Sequence, residues 1–363
     1  MDLIKGVMYM QDTVPVRYFL GANTASGFYS LYEEFIDPSD GDFVWFIKGG
    51  PGNGKSTFMR RVAEAAEAAG HQVEYAMCSG DPASLDGICI PDLKVRYVDA
   101  TSPHIQEPPL FGVAGRYLDL SAFYKKNVKW DSGAIAEYFR LYREQYARAY
   151  DYFAAAKYTD SGRIPGLITG REHAAVREMA ATLLKKLPAG SGYREIHRFM
   201  SANTCEGLTV FPEMAYRIGD IYTVSGAAPL QDTFFRAIAE ESRKKEQPVI
   251  LCPNPLDADL LEGVLLPEAG ISFLTSYNNI KHPVKPRKNI RLDTVIPAEQ
   301  LRAVREESKK CTSLCAGLMQ QGENCLKRAK QYHDALEELY HPTVDFAALE
   351  RFCKKHIRES IPT

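Results

Sequence analysis

Gly49-Gly50-Pro51-Gly52-Asn53-Gly54-Lys55-Ser56 fits the pattern G-x-x-x-x-G-K-[ST]. These residue types suit the holding of a polyphosphate. Glycines let backbone N–H groups turn inward against phosphate oxygens, and a helix starting at the last glycine offers its positive end to the same anion. Lys55 then reaches the β- and γ-phosphates, and the Ser56 hydroxyl ligates Mg²⁺. A second group fits the same chemistry. Val95-Arg96-Tyr97-Val98-Asp99 reads as a strand ending in a carboxylate, and Asp99 is the candidate for holding the water shell of the metal.

The elements that must position these groups are legible on either side. Phe43-Val44-Trp45-Phe46-Ile47 reads as a buried strand, and Lys55 to Ala69 as a helix closing at Gly70. The loop therefore lies between strand and helix, the context its chemistry requires.

The chain repeats itself. The segment Val16 to Gly27, with Asn23-Thr24, returns 180 residues on as Ile196 to Gly207, with Asn203-Thr204; Gly41-Asp42 returns as Gly219-Asp220. Leu85-Asp86-Gly87-Ile88 returns 176 residues on as Leu261-Glu262-Gly263-Val264. A tandem duplication is expected, with domains at 1–190 and 191–363 joined through Pro188-Ala189-Gly190-Ser191-Gly192. Each copy is read as an α/β domain with an appended helical hairpin that packs one copy on the other. The first hairpin has a stripe of Ile135, Phe139, Tyr142, Tyr146, Ala149 and Phe153, a break near Ser161-Gly162 and a helix to Leu187. The second has a heptad seam running Leu301, Val304, Ser308, Cys311, Cys315, Leu318, Gly322, Cys325, Ala329, Tyr332, Leu336, Leu339, then a helix from about Val344 to Ile357.

A duplication allows a comparison inside one chain: what both copies keep is fold, and what one copy keeps is chemistry. The second loop reads Ser225-Gly226-Ala227-Ala228-Pro229-Leu230-Gln231-Asp232, so either Gln231 or Asp232 stands for Lys55, and neither neutralises a γ-phosphate. Asp99 is replaced by Thr275. The joint loss points to Lys55 and Asp99 as the chemical residues and to a second copy without triphosphate binding. Asp81 and Asp86 keep acidic counterparts in Asp257 and Glu262, and read as turn or capping residues, with positioning of the nucleophile as the alternative. Asn23, Thr24 and Gly27 read as a turn and cap for a helix from Phe28 to Ile36; His104, aligned with Ile280, reads as structural or solvated, with a base for hydrolysis, beside Asp81 and Asp86, as the alternative.

The eight cysteines show no C-x-x-C pair, and Cys311, Cys315 and Cys325 lie on the seam, so they read as small apolar residues in a reducing compartment rather than as metal ligands. With 45% apolar and 25% charged residues and a net charge of −2, the chain is globular and has no global field for nucleic acid or an anionic membrane. Met1 to Val16 holds Asp2, Lys5, Gln11 and Asp12 and no long apolar run, so it reads as neither signal peptide nor membrane span, and a cytoplasmic location is expected.

On these residues the chain resembles a little-characterised family of bacterial two-domain P-loop ATPases. The likeness rests on Gly49 to Ser56 with Thr57, on Ser79-Gly80-Asp81-Pro82-Ala83-Ser84-Leu85-Asp86-Gly87, on Val98-Asp99-Ala100-Thr101-Ser102-Pro103-His104 and on the Asn-Thr-x-x-Gly leads. It covers most of the chain. It implies a P-loop NTPase fold, a mostly parallel sheet flanked by helices, and ATP with Mg²⁺ bound by Gly49, Gly50, Pro51, Gly52, Asn53, Gly54, Lys55, Ser56 and Thr57. It names no acceptor or effector.

Three readings follow. The first is an ATPase with one N-terminal site, slow hydrolysis and a regulatory second copy, since no glutamate follows Asp99 to polarise water; an arginine from Arg60, Arg61, Arg116, Arg140, Arg148, Arg163 or Arg171 would assist. The second is a kinase for a small molecule or nucleotide. The third is a nucleotide-gated binding module, with nucleic acid as the weaker partner, on the strength of the basic run Lys281-His282-Pro283-Val284-Lys285-Pro286-Arg287-Lys288 with Arg291.

Overall fold

The computed structural model describes residues 15–102, 105–161, 166–276 and 285–362. The first half begins with β1 (Val16–Phe19), β2 (Gly21–Thr24), β3 (Gly27–Ser30) and the short α1 (Tyr32–Phe35). β4 (Phe43–Lys48), α2 (Lys55–Ala68), β5 (Glu74–Met77), β6 (Leu85–Ile90), β7 (Val95–Asp99) and β8 (Gly115–Asp119) follow, then α3 (Ser132–Ser161) and α4 (Gly170–Leu184). α2 buries Phe58, Met59, Val62, Ala63 and Ala66, one apolar stripe at helical spacing, and the chain leaves it at Gly70 with φ +92.

The second half repeats the order as β9 (Glu195–His197), β10 (Ser201–Thr204), β11 (Gly207–Val210), α5 (Glu213–Ile218), β12 (Asp220–Ser225), α6 (Ala228–Lys244), β13 (Val249–Pro253), β14 (Leu261–Leu266), β15 (Ile271–Thr275) and β16 (Lys288–Arg291). α7 (Ala298–Ala303), α8 (Arg305–Tyr340) and α9 (Phe346–Ser360) complete it. The fold is α/β with two mostly parallel six-stranded sheets flanked by helices. Their orders are β1-β5-β6-β7-β4-β8 and β9-β13-β14-β15-β12-β16, the same sequence of equivalent strands. In each, one strand runs against its neighbours, β6 in the first and β14 in the second.

The two halves meet through equivalent residues. Phe19 and Phe199 exchange both backbone hydrogen bonds, at 2.8 and 3.2 Å. The Asn23 amide donates to the Asn203 carbonyl at 2.9 Å, and the Asn203 amide returns the bond to the Asn23 carbonyl at 3.0 Å. This corrects the reading of the Asn-Thr-x-x-Gly leads as helix caps. Thr24 does close a turn, accepting from Ser26 N–H, but Phe28 to Ser30 continue as strand, the helix covers only Tyr32–Phe35, and Asn23 is a joint between halves.

The expected hairpins are also rearranged. Among the described residues, the long helices α3 and α8 pack on each other, antiparallel, with Tyr138 near Tyr332 and Gly322 flat against the Phe153 ring. Every seam position from Leu301 to Leu339 is buried or half-buried; Cys325 lies with Ala149, Phe153 and Leu326, and no disulfide links the cysteines. The short helices cross over. α4 gives Val176, Ala180 and Leu184 to the second sheet's core beside Phe234 on α6, while α9 gives Leu349 and Cys353 to the first sheet's core beside Phe58 and Val62 on α2. The strand edge following β8 grips the start of α9: Lys125 N–H donates to Thr343 and Asp345 N–H to Phe123, both at 2.7 Å. The hairpin is absent because each terminal helix finds its apolar partner on the opposite sheet. No helix among the described residues is long and apolar enough to cross a membrane.

Candidate functional site

The glycine loop leaves the end of β4 and enters α2 through Gly52 (φ +61) and Gly54 (φ +81), left-handed conformations that a side chain would strain by about 1–2 kcal/mol each. Gly54 is the residue immediately before the helix and has no side chain to cap it, so the first N–H groups of α2 point into the loop. Asn53 is 1% exposed, and neither of its amide atoms has a partner. Pro51 is half-buried, and Thr57 is exposed on the first turn of α2.

Parallel pairing sets Asp99 opposite Ile47, so the end of β7 stands beside the start of the loop. Lys55 Nζ lies 3.6 Å from Asp99 Oδ2 and donates to the carbonyls of Gly49 (3.0 Å) and Gly50 (2.9 Å). Both side chains are mostly shielded, at 13% and 16% exposure, so this pair operates at lower dielectric than a surface ion pair. Asp99 Oδ1 also accepts from Thr101 N–H at 3.0 Å and Thr101 Oγ1 at 2.5 Å, which fixes the carboxylate. Ser56 Oγ accepts from Leu85 N–H at 3.0 Å, tying the loop to β6. Lys55, Ser56 and Asp99, distant in sequence, converge at one point.

The second half aligns with this point without a gap, which decides between Gln231 and Asp232. Gln231 takes the place of Lys55: its amide donates to the Gly226 carbonyl at 2.7 Å and accepts from Thr275 Oγ1 at 2.6 Å. Asp232 takes the place of Ser56, accepting from Leu261 N–H at 3.0 Å. The loop itself is gone. α6 begins at Ala228, three residues before the position matching the start of α2, and the Ala227 N–H is capped by Asp293 Oδ1 at 3.1 Å. Leu230, in the place of Gly54, is buried inside this helix.

The remaining candidates separate clearly. Asp81 is a turn residue, accepting from Ala83 N–H at 3.1 Å, and also pairs with Lys330 of α8 at 3.3 Å; Asp257 pairs with Lys157 of α3 at 2.9 Å. Asp86 and Glu262 are not caps. They are buried within β6 and β14, where Tyr32 donates to Asp86 at 2.7 Å and Ser201 donates to Glu262 at 2.8 Å. Arg60 donates to the Ala83 carbonyl at 2.9 Å, Arg61 faces Glu350 at 3.7 Å, Arg140 is held by Glu137 and Glu144, and Arg116, Arg148 and Arg171 are exposed. Arg163 and His104 lie outside the described residues. So do Lys281 to Val284 of the basic run, while Lys285, Arg287, Lys288 and Arg291 are exposed and Arg287 pairs with Asp220.

The loop has neighbours that carried no signal in the sequence. Tyr124 and Tyr340 stand over Gly50, and the end of α8 crosses Gly52, where an added Cβ would lie 2.9 Å from the His341 ring and 3.1 Å from Glu337 Cβ. Leu349 lies over Gly54. The one hint was a histidine and a glutamate four apart on the helix, His333 and Glu337, which share a face. Burial lowers the pKa of His333; Glu337 and Asp334 oppose this, Lys55 and Lys330 reinforce it, and the net direction is downward. Tyr142, packed on His333 at 6.0 Å between ring centres, is pushed up to about 12 by burial and stays a neutral phenol. No family model, curated protein or solved structure matches this chain.

Proposed function

We propose that the protein is a Mg²⁺-dependent ATPase with a single site at the Gly49–Thr57 loop, and that the second half is a partner that has given up nucleotide binding. The observation that carries the reading is the correlated replacement at equivalent positions: Lys55, Ser56 and Asp99 on one sheet against Gln231, Asp232 and Thr275 on the other, with the same hydrogen bonds to the backbone retained. Gln231 and Thr275 remove the charges of Lys55 and Asp99, Asp232 sets a carboxylate where Ser56 offers a hydroxyl, and the hydrogen bonds to the backbone are kept.

The residues fit a bound triphosphate. The loop carries no side chain of its own at Gly50, Gly52 and Gly54, and the orphaned Asn53 amide is a polar group whose lack of a partner costs about 1–3 kcal/mol until one arrives. Lys55 would exchange the carbonyls of Gly49 and Gly50 for phosphate oxygens, at the end of a helix that already favours an anion. Ser56 and Asp99 are the residues that would hold Mg²⁺, which would supply charge neutralisation to the triphosphate. Lys55 would offset the charge gathering on the departing ADP, and Asp99, fixed by Thr101, holds the lysine in place.

Phosphate release from Mg²⁺-ATP tests this. Asp99→Asn is expected to lower release by about 100-fold or more, with Thr275→Asn unchanged. Equal losses from the two substitutions would overturn the single-site reading.

A further inference from the structure

Among the described residues, none of the first half's acidic candidates is a free group to take a proton from an attacking water. Asp99 is followed by Ala100, Asp86 is engaged by Tyr32, and Asp81 is in an ion pair with Lys330. The opposite half does supply one. Where α8 crosses the loop, the Glu337 backbone stands against Gly52, since a Cβ there would meet Glu337 Cα at 3.2 Å. One turn back on the same face, His333 Nδ1 lies 3.8 Å from Glu337 Oε1, and Lys330 joins Asp334 and Asp81, fastening this stretch of helix to the first half.

The groups around His333 are Glu337, Asp334 and Lys330 on its own helix, Lys55 from the loop and Tyr142 from α3. Burial and the two lysines favour the neutral ring, with Glu337 and Asp334 opposing, and the net direction is downward. A neutral imidazole beside a phosphate site is equipped to accept a proton near pH 7. The ligand atoms of His333, Asp334 and Glu337 lie within 4.8 Å of one another. Asp334, however, is already paired with the Lys330 ammonium, and Lys55 adds positive charge, which disfavours a cation there. Counting back without gaps from the equivalent helix starts at Phe346 and Gly170, Lys157 stands at the position of His333 and Ser161 at that of Glu337. The pair is missing from the helix that faces the degenerate half, just as Lys55 and Asp99 are missing from that half's sheet.

We propose that His333 of the second half is the catalytic base for the site in the first half, with Glu337 as its positioning residue. The inference rests on the ATPase reading. A lone pair of the water oxygen forms the new bond to the γ-phosphorus, and the bond from that phosphorus to the β,γ-bridging oxygen breaks with its electrons passing to ADP. The water's proton goes to Nε2 of His333, with Nδ1 turned to Glu337, and from there to solvent. The products are ADP and inorganic phosphate, and Lys55 offsets the charge gathering on the leaving oxygen. Hydrolysis therefore requires the two halves to be docked.

The test uses the full chain with His333→Asn and Glu337→Gln. Mg²⁺-ATP binding by calorimetry is expected to stay within about threefold, while phosphate release falls by about 100-fold for His333→Asn and about tenfold for Glu337→Gln, and the acid limb of the pH–rate profile disappears in His333→Asn. A second readout needs no nucleotide: the NMR titration of His333 is expected to move to higher pH in Lys55→Met, because a nearby positive charge has been removed. Release within twofold of wild type in His333→Asn with binding intact, or a His333 titration unmoved by Lys55→Met, overturns the proposal. Wild-type protein that binds Mg²⁺-ATP and releases no phosphate overturns the base alone. Wild-type protein that binds no Mg²⁺-ATP overturns the ATPase reading and this inference with it.

Discussion

The glycine loop between β4 and α2 and its counterpart between β12 and α6 occupy the same place in identical strand orders, yet they end in opposite ways. In the first, left-handed residues at Gly52 and Gly54 delay the helix until Lys55 and leave its first N–H groups unclaimed. In the second, Ala228 and Leu230 replace the two positions that needed positive φ, with Pro229 between them, and the helix winds back to Ala228. Proline suits a helix's first turn, and Asp293 caps the new N-terminus with the chain's own carboxylate. Where the first loop leaves a helix start without a cap, the second has a self-satisfied one. The fold survives because it depends on the buried strands and on Gln231 and Thr275 linking the same places by neutral hydrogen bonds, and the charges of Lys55 and Asp99 are what has gone.

The sharpest way to break this comparison is to remove the charge from the first half. Lys55→Ala is expected to lower phosphate release by about 100-fold or more, whereas Gln231→Ala leaves it within about twofold, measured side by side. Restoring charge to the second half sharpens it. Gln231→Lys combined with Thr275→Asp is expected to create no second site by calorimetry, because the backbone from Ala228 is helical and Asp293 already holds the Ala227 N–H.

Smaller effects probe how the halves complete each other. Leu349 of α9 is 7% exposed and packs over Gly54, so Leu349→Ala should cost about 2–4 kcal/mol in urea unfolding and weaken ATP binding, although the residue belongs to the far half of the sequence. The weakest effect concerns pH. His197 in the second half meets Glu34 in the first at 2.8 Å. The Glu34 hydrogen bond raises the His197 pKa against the effect of burial; for Glu34, burial pushes upward but the bonds from His197 outweigh it and the net shift is downward. A raised histidine pKa contributes stability that is complete below the ordinary value and is lost as pH rises through the folded value. Unfolding free energy should therefore decline from about pH 6 upward, and Glu34→Gln should flatten that slope.

Much of this molecule is readable from its residues. The strand Phe43–Lys48, the helix from Lys55, the strand ending at Asp99, the repeat and the seam on α8 each follow from local periodicity, and local physics decides them. The crossing of α4 and α9 is not local. Either sheet offers an apolar face of the kind these amphipathic helices need, and only the geometry of the α3–α8 pair selects the opposite one. Asp86 and Glu262 read as surface turn residues because an isolated acid beside a glycine does so; their burial depends on Tyr32 and Ser201, more than fifty residues away. His333 and Glu337 are recognisable as chemistry only once α8 is laid across a loop from the other end of the chain.

The most direct measurement is a calorimetric titration of Mg²⁺-ATP into the wild-type chain, Lys55→Ala and Gln231→Ala. One site per chain, lost in the first variant and retained in the second, is the expected result. Two sites per chain, or a single site that survives Lys55→Ala, would contradict the account.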